Sequence, residues 1–400
     1  MEQAAREEGR TRGGESPRGP NAVGLRQVAL TLLGFVGIVA FTWYRGHIDD
    51  YGREVAPAVN ALAGGDFWGA VQRQANIPPF SILLRAPIVA VVQHFGGGGL
   101  MRYRAGAVPC VGAAALLGVA LVKWFPSSSR PRALGWLVVL LAVATPAAAD
   151  ALDFGHPEEI LGAALSVGAV AACLSGRNAW GALLLGLALS TKQWALLAVG
   201  PAMLAAGRTY WWRVTAAAAA LTALLLLPLL LADQQHLAAA TREAASAPAK
   251  PLFLSWWYLL HHDLPSWLPQ YTKPGIVLSA IPLTLLAYWR GCGADRALPL
   301  MALLFIVRCV FDPQTQYYYH LPLLLTLLAW DVQKRRRLPY ASLAALAALV
   351  ITNSYLASPG GLYTASVFYF CWTSALAAYL VVVLVRRPRV ADVALAVKTA

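Results

Sequence analysis

The stretch "NAWGALLLGLALSTKQWALLAVGPAMLAAG", residues 178–207, is almost entirely apolar, and its one charged residue is Lys192. As a single helix it would be about 45 Å long at about 1.5 Å per residue, whereas the hydrocarbon core of a bilayer is about 30 Å thick. Two short helices joined at "STKQW" would place Lys192 at a membrane interface instead of mid-bilayer. The stretch therefore predicts a hinged pair of membrane helices.

The rest of the chain has the same apolar character. Of the 400 residues, 58% are hydrophobic and only 13% are charged, which is too little charge to cover a soluble protein of this size. The predicted fold class is an all-α polytopic membrane protein with about 12 transmembrane helices and amphipathic juxtamembrane helices in the first outer loop. The candidate spans are 25–45, 104–125, 132–149, 157–175, 178–190, 193–207, 214–232, 273–289, 297–311, 318–333, 339–356 and 362–385.

The chain divides into a short polar tail and one membrane domain. Residues 1–24 are rich in Arg, Gly and Glu and have almost nothing to bury, which predicts a disordered cytoplasmic tail. Residues 25–400 are predicted to form a single transmembrane domain, because the first apolar run is too long for a signal-peptide core. The five cysteines are scattered through apolar runs and are expected to be packing residues rather than disulfides or metal ligands.

The distribution of positive charge predicts the orientation of the chain. With a cytoplasmic N-terminus, the inner loops hold most of the 32 Lys and Arg residues, including the basic runs at 334–337 and 386–389. Because basic loops stay inside, both termini are expected in the cytoplasm, and the long loops 46–103 and 233–272 are expected outside. Topology then accounts for the net charge of +13, so no nucleic-acid partner is expected.

Two helices are predicted within the first outer loop. Val55, Val59 and Leu62 recur at helical spacing, and Gly64 follows as a stop. The apolar segment 80–95 contains Arg85, and an arginine near mid-bilayer costs about 2.5–3.5 kcal/mol on insertion scales. This segment is therefore predicted to lie on the membrane surface.

Two acidic clusters fall on the predicted outer face. In "HIDDYG", His47, Asp49 and Asp50 directly follow the first span, either marking the water boundary or supplying a general base whose pKa is raised by partial desolvation. The second cluster, "DFGHPEEILGAAL", carries Asp153, His156, Glu158 and Glu159. The helix dipole alone could explain carboxylates at a helix N-terminus. A divalent metal suits these residue types, but their spacing matches no standard motif, so neither a metal nor another cofactor is favoured.

Cations accompany these carboxylates on the same face. Arg102 and Arg104 open the second span, and Lys192 lies at the hinge. They are placed either to hold a lipid phosphate or to reach the headgroups. Arg308 and Asp312 are four residues apart, which predicts a local ion pair. The aromatic run "QYYYH" (316–320) is typical of interfacial anchors, and it also offers Tyr319 and His320 to a substrate.

The order of these motifs resembles the GT-C superfamily of integral-membrane glycosyltransferases. It looks most like the bacterial family 87 enzymes, which are polyprenyl-phosphate-mannose-dependent mannosyltransferases. The resemblance covers nearly the whole chain, and "GLALSTKQW" and "GHPEEIL" are its most specific blocks. Many relatives have Gly-Gln where this chain has Gly155-His156, and a Tyr where it has Glu54 and Val55. These departures leave the donor and acceptor open. The blocks that carry the resemblance are "AVNALAGGDF", "NIPPFSILLRAP", "DFGHPEEILGAAL", "GALLLGLALSTKQWALLAVGP" and "FDPQTQYYYHLPLLLTLLAW".

The resemblance implies a GT-C-like bundle and an inverting hexosyltransferase on the extracytoplasmic side of a bacterial plasma membrane. Its partners would be a polyprenyl-phosphate sugar, a lipid-linked or glycan acceptor and membrane lipids, and the enzyme is expected to be a monomer. Asp50 would be the catalytic base, with Asp49 as the alternative. The donor phosphate would be bound by Arg104, Lys192, Arg102 and Arg308. The residues expected around the substrate are His47, Asp153, His156, Glu158, Glu159, Tyr319 and His320.

The alternative function is a polytopic transporter or a flippase of lipid-linked glycan precursors. A transporter is expected to place ionisable residues or broken helices near the membrane midplane, often with repeat symmetry. Here the ionisable residues collect at one predicted face and no internal repeat is visible. This pattern favours an enzyme.

Overall fold

In the computed structural model, the described residues are 20–46, 50–73, 79–127, 132–232, 252–260, 269–334, 338–358 and 361–386. All regular elements within these ranges are helices, and no strand occurs among them. The predicted all-α class is therefore confirmed. The predicted tail lies outside the described residues up to residue 19, and the first helix begins at Pro20, inside the stretch predicted to be disordered.

The helices range in length from 4 to 34 residues. In chain order they are α1 (Pro20–Arg45), α2 (Tyr51–Glu54), α3 (Ala56–Ala63), α4 (Phe67–Gln72), α5 (Phe80–His94), α6 (Gly99–Trp124), α7 (Arg132–Val143), α8 (Pro146–Asp153), α9 (Pro157–Leu174), α10 (Asn178–Leu189), α11 (Val199–Ala232), α12 (Trp256–Leu260), α13 (Pro269–Trp289), α14 (Ala297–Phe311), α15 (Leu321–Gln333), α16 (Tyr340–Val350) and α17 (Leu362–Val385). Three 3-10 turns (Gln193–Ala198, Ala294–Arg296, Tyr317–His320) and a π-helical turn (Ile351–Leu356) connect them.

The chain is an all-α membrane protein. Five helical stretches are long and apolar enough to cross a membrane, and the remaining apolar helices of the described ranges are shorter. The predicted count of about 12 complete spans is not reached by that criterion. The five stretches are Gly99–Trp124, Leu134–Asp153, Pro157–Leu174, Gln193–Leu231 and Leu362–Val385.

The run 178–207 is hinged as predicted. Helix α10 ends at Leu189, a 3-10 turn covers Gln193–Ala198, and α11 has a further break at Gly207 (φ 72°, ψ 173°). The hydroxyls of Ser190 and Thr191 donate to carbonyls of the preceding turn, at 2.8 and 2.7 Å. Such side-chain bonds compete with the helical pattern and favour a helix end.

The helices between residues 51 and 94 pack into the bundle. Helix α3 ends at Gly64 as predicted, and the side chains of Val55 and Val59 are fully buried. Helix α5 packs against α3 and α6. That segment 80–95 lies on the membrane surface stays a prediction. The Arg85 side chain itself is 0% exposed and is enclosed by the protein. A carboxylate from another helix neutralises it, a contact that the local sequence does not reveal.

Helix α9 is the centre of the molecule. Every residue from Pro157 to Cys173 is buried, and the helix packs against α6, α10, α11 and α15. Its first turn carries Glu158 and Glu159. The surrounding helices therefore enclose both carboxylates within the protein.

Candidate functional site

Glu158 is the most highly connected carboxylate at the start of α9. Its side chain is fully buried. Oε2 accepts from Arg85 Nη1 at 3.3 Å, and Oε1 lies 3.3 Å from the Lys192 ammonium. Oε1 is also 3.0 Å from Nδ1 of His156. One carboxylate thus joins α5, the hinge and the loop before α9.

Glu159 makes the second set of contacts. Its Oε1 is 3.2 Å from the Lys192 ammonium, and its Oε2 is 3.6 Å from Arg308 Nη2. The indole of Trp194 donates to Oε2 at 3.1 Å. The Arg308 guanidinium lies 4.7 Å from the ring centre of Trp194 and 4.4 Å from that of Tyr319. This arrangement combines charge pairing with cation–π contacts.

The buried charge network comprises Arg85, Glu158, Lys192, Glu159 and Arg308. It holds three cations and two carboxylates, so positive charge is in excess inside it. Desolvation of buried charges is offset only by good geometry and additional hydrogen bonds. The network joins several helices at one end of the bundle, hereafter the site end.

Asp50 connects this network to solvent. Its Oδ2 lies 3.3 Å from Nε2 of His156, and its side chain is 47% exposed. His156 in turn contacts the fully buried Glu158 through Nδ1. When the imidazole is protonated, both ring nitrogens donate, one to each carboxylate. The hydrogen-bonded side chains of Asp50, His156 and Glu158 thus form a row from the surface to the interior.

Neighbouring carboxylates keep His156 and Lys192 protonated despite their burial. Burial lowers the pKa of His156, but the hydrogen bond and the negative charge of Glu158 outweigh burial and leave that pKa raised. Burial likewise lowers the pKa of Lys192, and the charges of Glu159 and Glu158 reverse the effect and raise it. Burial raises the pKa of nearby Glu54. The imidazolium is therefore favoured beside Asp50.

A close backbone contact brings Asp50 to His156. Gly155 has φ +85°, and a Cβ at this position would lie 2.8 Å from the backbone nitrogen of Tyr51. The Tyr51 ring lies 4.7 Å from the Arg85 guanidinium and 4.8 Å from the ring of Tyr103. Glycine at position 155 therefore allows the loop before α9 to approach the residue that follows Asp50.

Two of the predicted phosphate ligands are already paired. The predicted Arg308–Asp312 ion pair is wrong, because Arg308 faces Glu159 and Asp312 instead accepts from the backbone of Gln314 at 2.9 Å. Lys192 contacts both glutamates of α9. These cations are thus engaged within the protein, although both were expected to bind the donor phosphate.

Arg102 and Arg104 contact backbone carbonyls, a side-chain amide and an aromatic ring in the part of the chain that the structure describes. Arg104 Nε donates to the Gly46 carbonyl at 3.0 Å, and its guanidinium lies 5.8 Å from the Trp43 ring. Arg102 donates to the Gly97 carbonyl and to Asn60. Within the described ranges, no carboxylate lies within ion-pair distance of either guanidinium.

The other predicted site residues are distributed unevenly. His47 and Asp49 lie outside the described residues. Asp153 pairs with Arg45, at the rim of the site. His320 is not brought into the site, since it is fully buried and its Nε2 lies 2.8 Å from the hydroxyl of Tyr369 on α17.

Tyr319 reaches the network from the turn before α15. Its ring stacks on Arg308, and its carbonyl accepts from the same guanidinium at 3.1 Å. Sequence reasoning missed Arg85, Trp194 and Tyr51 as members of this site. An arginine inside an apolar helix was the available signal for Arg85, since such a charge is kept only when a partner satisfies it.

Within the described ranges, no group of three or more His, Cys, Asp or Glu residues is arranged to hold a metal ion. Neither a protein-family model nor a curated protein matches the chain. The chemistry of the site is therefore the basis on which a function can be proposed.

Proposed function

We propose that this membrane protein is a GT-C-type glycosyltransferase. It would move a hexose, with mannose as the first candidate, from a polyprenyl-phosphate donor to a lipid-linked or cell-envelope glycan acceptor. The observation that carries the proposal is the half-exposed Asp50 carboxylate, which is hydrogen-bonded to His156 in front of the buried charge network. A carboxylate held in this way can orient an acceptor hydroxyl and receive its proton.

The reaction would be an inverting displacement at the anomeric carbon of the donor sugar. The acceptor oxygen forms the new bond to that carbon while its proton passes to Asp50. The bond from the anomeric carbon to the phosphate oxygen breaks, and its electron pair leaves with the lipid phosphate. Because phosphate is a stable leaving group, this step needs no strong general acid. His156 would act as a positioning residue, since it contacts Asp50 on one side and Glu158 on the other.

The leaving phosphate would be stabilised by Arg104 and Arg102. Both lack a carboxylate partner among the described residues and lie at the site end, near Gly46 and Asn60. Preorganised guanidinium groups favour charge that develops on phosphate oxygens. Lys192 and Arg308 would then position Glu158 and Glu159 rather than bind the donor directly.

The proposed setting is a bacterial plasma membrane, with both termini cytoplasmic and the site end extracytoplasmic. The support is the group of exposed basic residues at the opposite end of the bundle, Arg177, Arg290, Lys334 and Arg386, together with the basic runs at 334–337 and 386–389 in the sequence. Basic segments are retained on the cytoplasmic side. The proposal includes a GT-C-like bundle of about 12 membrane helices that acts as a monomer without a cofactor.

The test is sugar transfer in proteoliposomes that contain the full chain and polyprenyl-phosphate mannose. Asp50→Asn is expected to lower the turnover rate by about 10²–10⁴-fold, the range for loss of a general base. Asp49→Asn is expected to lower it much less. Asp66→Asn is the matched control, because Asp66 is an exposed carboxylate that caps α4. Full activity in both single variants and in the double variant would refute the base assignment.

A transporter or flippase of lipid-linked glycan precursors is the second candidate. It is favoured by one observation: the buried charges meet at the break between α10 and the 3-10 turn, and broken helices with internal charges are typical of transporters. The same proteoliposomes separate the two functions. Movement of the lipid-linked precursor across the bilayer without sugar transfer would favour this alternative.

A further inference from the structure

A polar cavity lies between the end of α13 and the end of α17. Its volume is about 220 Å³, several times the roughly 30 Å³ of a water molecule, so it has room for a phosphate group. We call it the arginine pocket. Its lining includes Arg290, Cys292, Asp295, Arg296, Leu384 and Arg386.

Hydrogen bonds hold the two walls of the arginine pocket together. Cys292 Sγ donates to the Leu384 carbonyl at 3.3 Å, and Arg296 Nη2 donates to the Arg386 carbonyl at 3.1 Å. The end of α17 is thus fixed against the turn at 290–296. Arginines from two separate chain segments therefore line one cavity.

Positive charge in the arginine pocket exceeds negative charge. Arg296 Nε donates to Asp295 Oδ2 at 3.1 Å, and the Lys334 ammonium lies 4.0 Å from the same oxygen. Neither Arg290 nor Arg386 has a carboxylate partner in the ranges that the structure describes. Like charges gathered in a cleft raise the local potential and attract an anion.

The arginine pocket lies at the end of the bundle opposite the site end. Helix α14 begins at Ala297 beside the pocket and carries Arg308 of the buried charge network near its other end. Its 15 residues span about 22 Å at about 1.5 Å per residue. The pocket is therefore structurally separate from Asp50 and His156.

Aromatic side chains place the arginine pocket at the boundary between lipid and water. Trp289 is 78% exposed beside it, and Tyr288 is 47% exposed. The guanidinium of Arg208 lies 5.3 Å from the Tyr288 ring centre. Exposed Trp and Tyr next to arginines are typical of the headgroup level of a membrane.

We infer that the arginine pocket binds the phosphate of an anionic lipid headgroup. The forked guanidinium groups of Arg290 and Arg386 match the geometry of phosphate oxygens, and Trp289 would lie against the glycerol and upper acyl region. Basic pockets between membrane helices bind anionic headgroups by this chemistry. The inference does not depend on the proposed sugar transfer, because it concerns different residues at the other end of the bundle.

The test measures lipid binding to the purified full chain in neutral detergent. Short-chain phosphatidylglycerol is titrated, and bound lipid is counted by native mass spectrometry while the thermal unfolding midpoint is followed. Saturable binding and a rise in the midpoint are expected. Phosphatidylcholine should bind at least tenfold more weakly. Equal binding of the two lipids would overturn the inference.

Variants locate the lipid. Arg290→Gln combined with Arg386→Gln is expected to weaken phosphatidylglycerol binding at least tenfold. Arg177→Gln combined with Arg213→Gln is the matched control, because both arginines are exposed and lie outside the pocket; it should change binding less than twofold. Arg386→Gln alone, at the exposed end of α17, provides a variant with little risk to folding and should weaken binding at least threefold. Unchanged affinity in the double and single pocket variants would overturn the inference.

A third arm distinguishes a lipid headgroup from a free phosphate. Inorganic phosphate is added at concentrations up to the millimolar range in place of lipid. Weak or absent stabilisation by inorganic phosphate, together with tight phosphatidylglycerol binding, supports a lipid site. Stabilisation by inorganic phosphate that equals that of the lipid, and is lost in the Arg290→Gln, Arg386→Gln variant, would overturn the lipid assignment in favour of a soluble phosphate.

Discussion

At the scale of single residues, Glu158 has the largest structural role in the site. Arg85, Lys192 and His156 all contact its side chain, which is fully buried. Lys192 also contacts Glu159, whereas Arg85 has no second carboxylate within 4 Å in the described part of the chain. Loss of the Glu158 charge would therefore leave Arg85 as an uncompensated buried cation.

Glu158→Gln is expected to lower the free energy of unfolding by about 3–5 kcal/mol, the usual cost of breaking a buried ion pair from one side. Denaturant unfolding of the full chain in detergent measures it. The control is Asp295→Asn, whose exposed ion pairs at the opposite end contribute about 0–1 kcal/mol. A Glu158→Gln protein as stable as the control would contradict the structural role.

His156 is expected to make stability depend on pH. Its pKa in the folded chain is raised above the ordinary value of about 6.5 because Glu158 favours the imidazolium. The protonated form then contributes stability that is fully present below about pH 6.5. This contribution is lost as the pH rises through the folded pKa.

Unfolding midpoints of the wild-type chain and His156→Gln, measured from about pH 6 upward, test this expectation. The variant should be clearly less stable than the wild type at the lowest pH, and the difference should shrink as the pH rises. Parallel stability curves for the two proteins would show that the imidazole charge makes no such contribution.

At the scale of elements, the loop before α9 positions the site. Gly155 lies at positive φ and against the backbone of Tyr51, whereas Gly207 lies at positive φ in open space. A side chain at either position would strain the backbone. Only a side chain at Gly155 would also clash with a neighbouring residue.

Gly155→Ala is expected to lower stability more than Gly207→Ala. A positive φ costs an L side chain about 1–2 kcal/mol, and Gly155→Ala adds a clash with Tyr51 that displaces Asp50 from His156. Unfolding midpoints and sugar transfer are both measured. Gly112→Ala in α6 is the control, because no atom lies within 4 Å of its Cβ position and alanine favours a helix. Full transfer activity in Gly155→Ala would contradict the positioning role of the loop.

At the scale of the whole molecule, the two ends of the bundle carry different charge chemistry. The site end holds paired carboxylates and cations, whereas exposed arginines and Lys334 collect at the other end. Because basic ends remain cytoplasmic, this asymmetry predicts the orientation in the membrane.

Single cysteines introduced into a Cys371→Ala chain test the orientation. Gly98→Cys is at the exposed start of α6 near Arg102, and Arg177→Cys is at the exposed start of α10. In intact cells, a membrane-impermeant maleimide is expected to label only Gly98→Cys. Arg177→Cys should react after permeabilisation, and the Cys371→Ala chain alone serves as background. The reverse labelling pattern would overturn the proposed orientation.

The sequence by itself determined the class of the protein and several helix boundaries. Apolar length compared with bilayer thickness predicted the all-α membrane fold and the hinge near Lys192, and helical spacing predicted α3 and its end at Gly64. These features depend only on residues close together in the sequence and on the thickness of the bilayer, so a single sequence can specify them.

Only the tertiary structure decided which charges meet. Glu158 and Arg85, which form a pair, are 73 positions apart in the sequence, and His156 and Asp50 are 106 positions apart. Arg308 pairs with the distant Glu159 rather than with the nearby Asp312. Local spacing predicted the wrong partner for Arg308 and did not reveal the burial of Arg85. Partners of buried charges are set by how distant helices pack, because the large cost of desolvation is offset only where the folded geometry brings an opposite charge within reach.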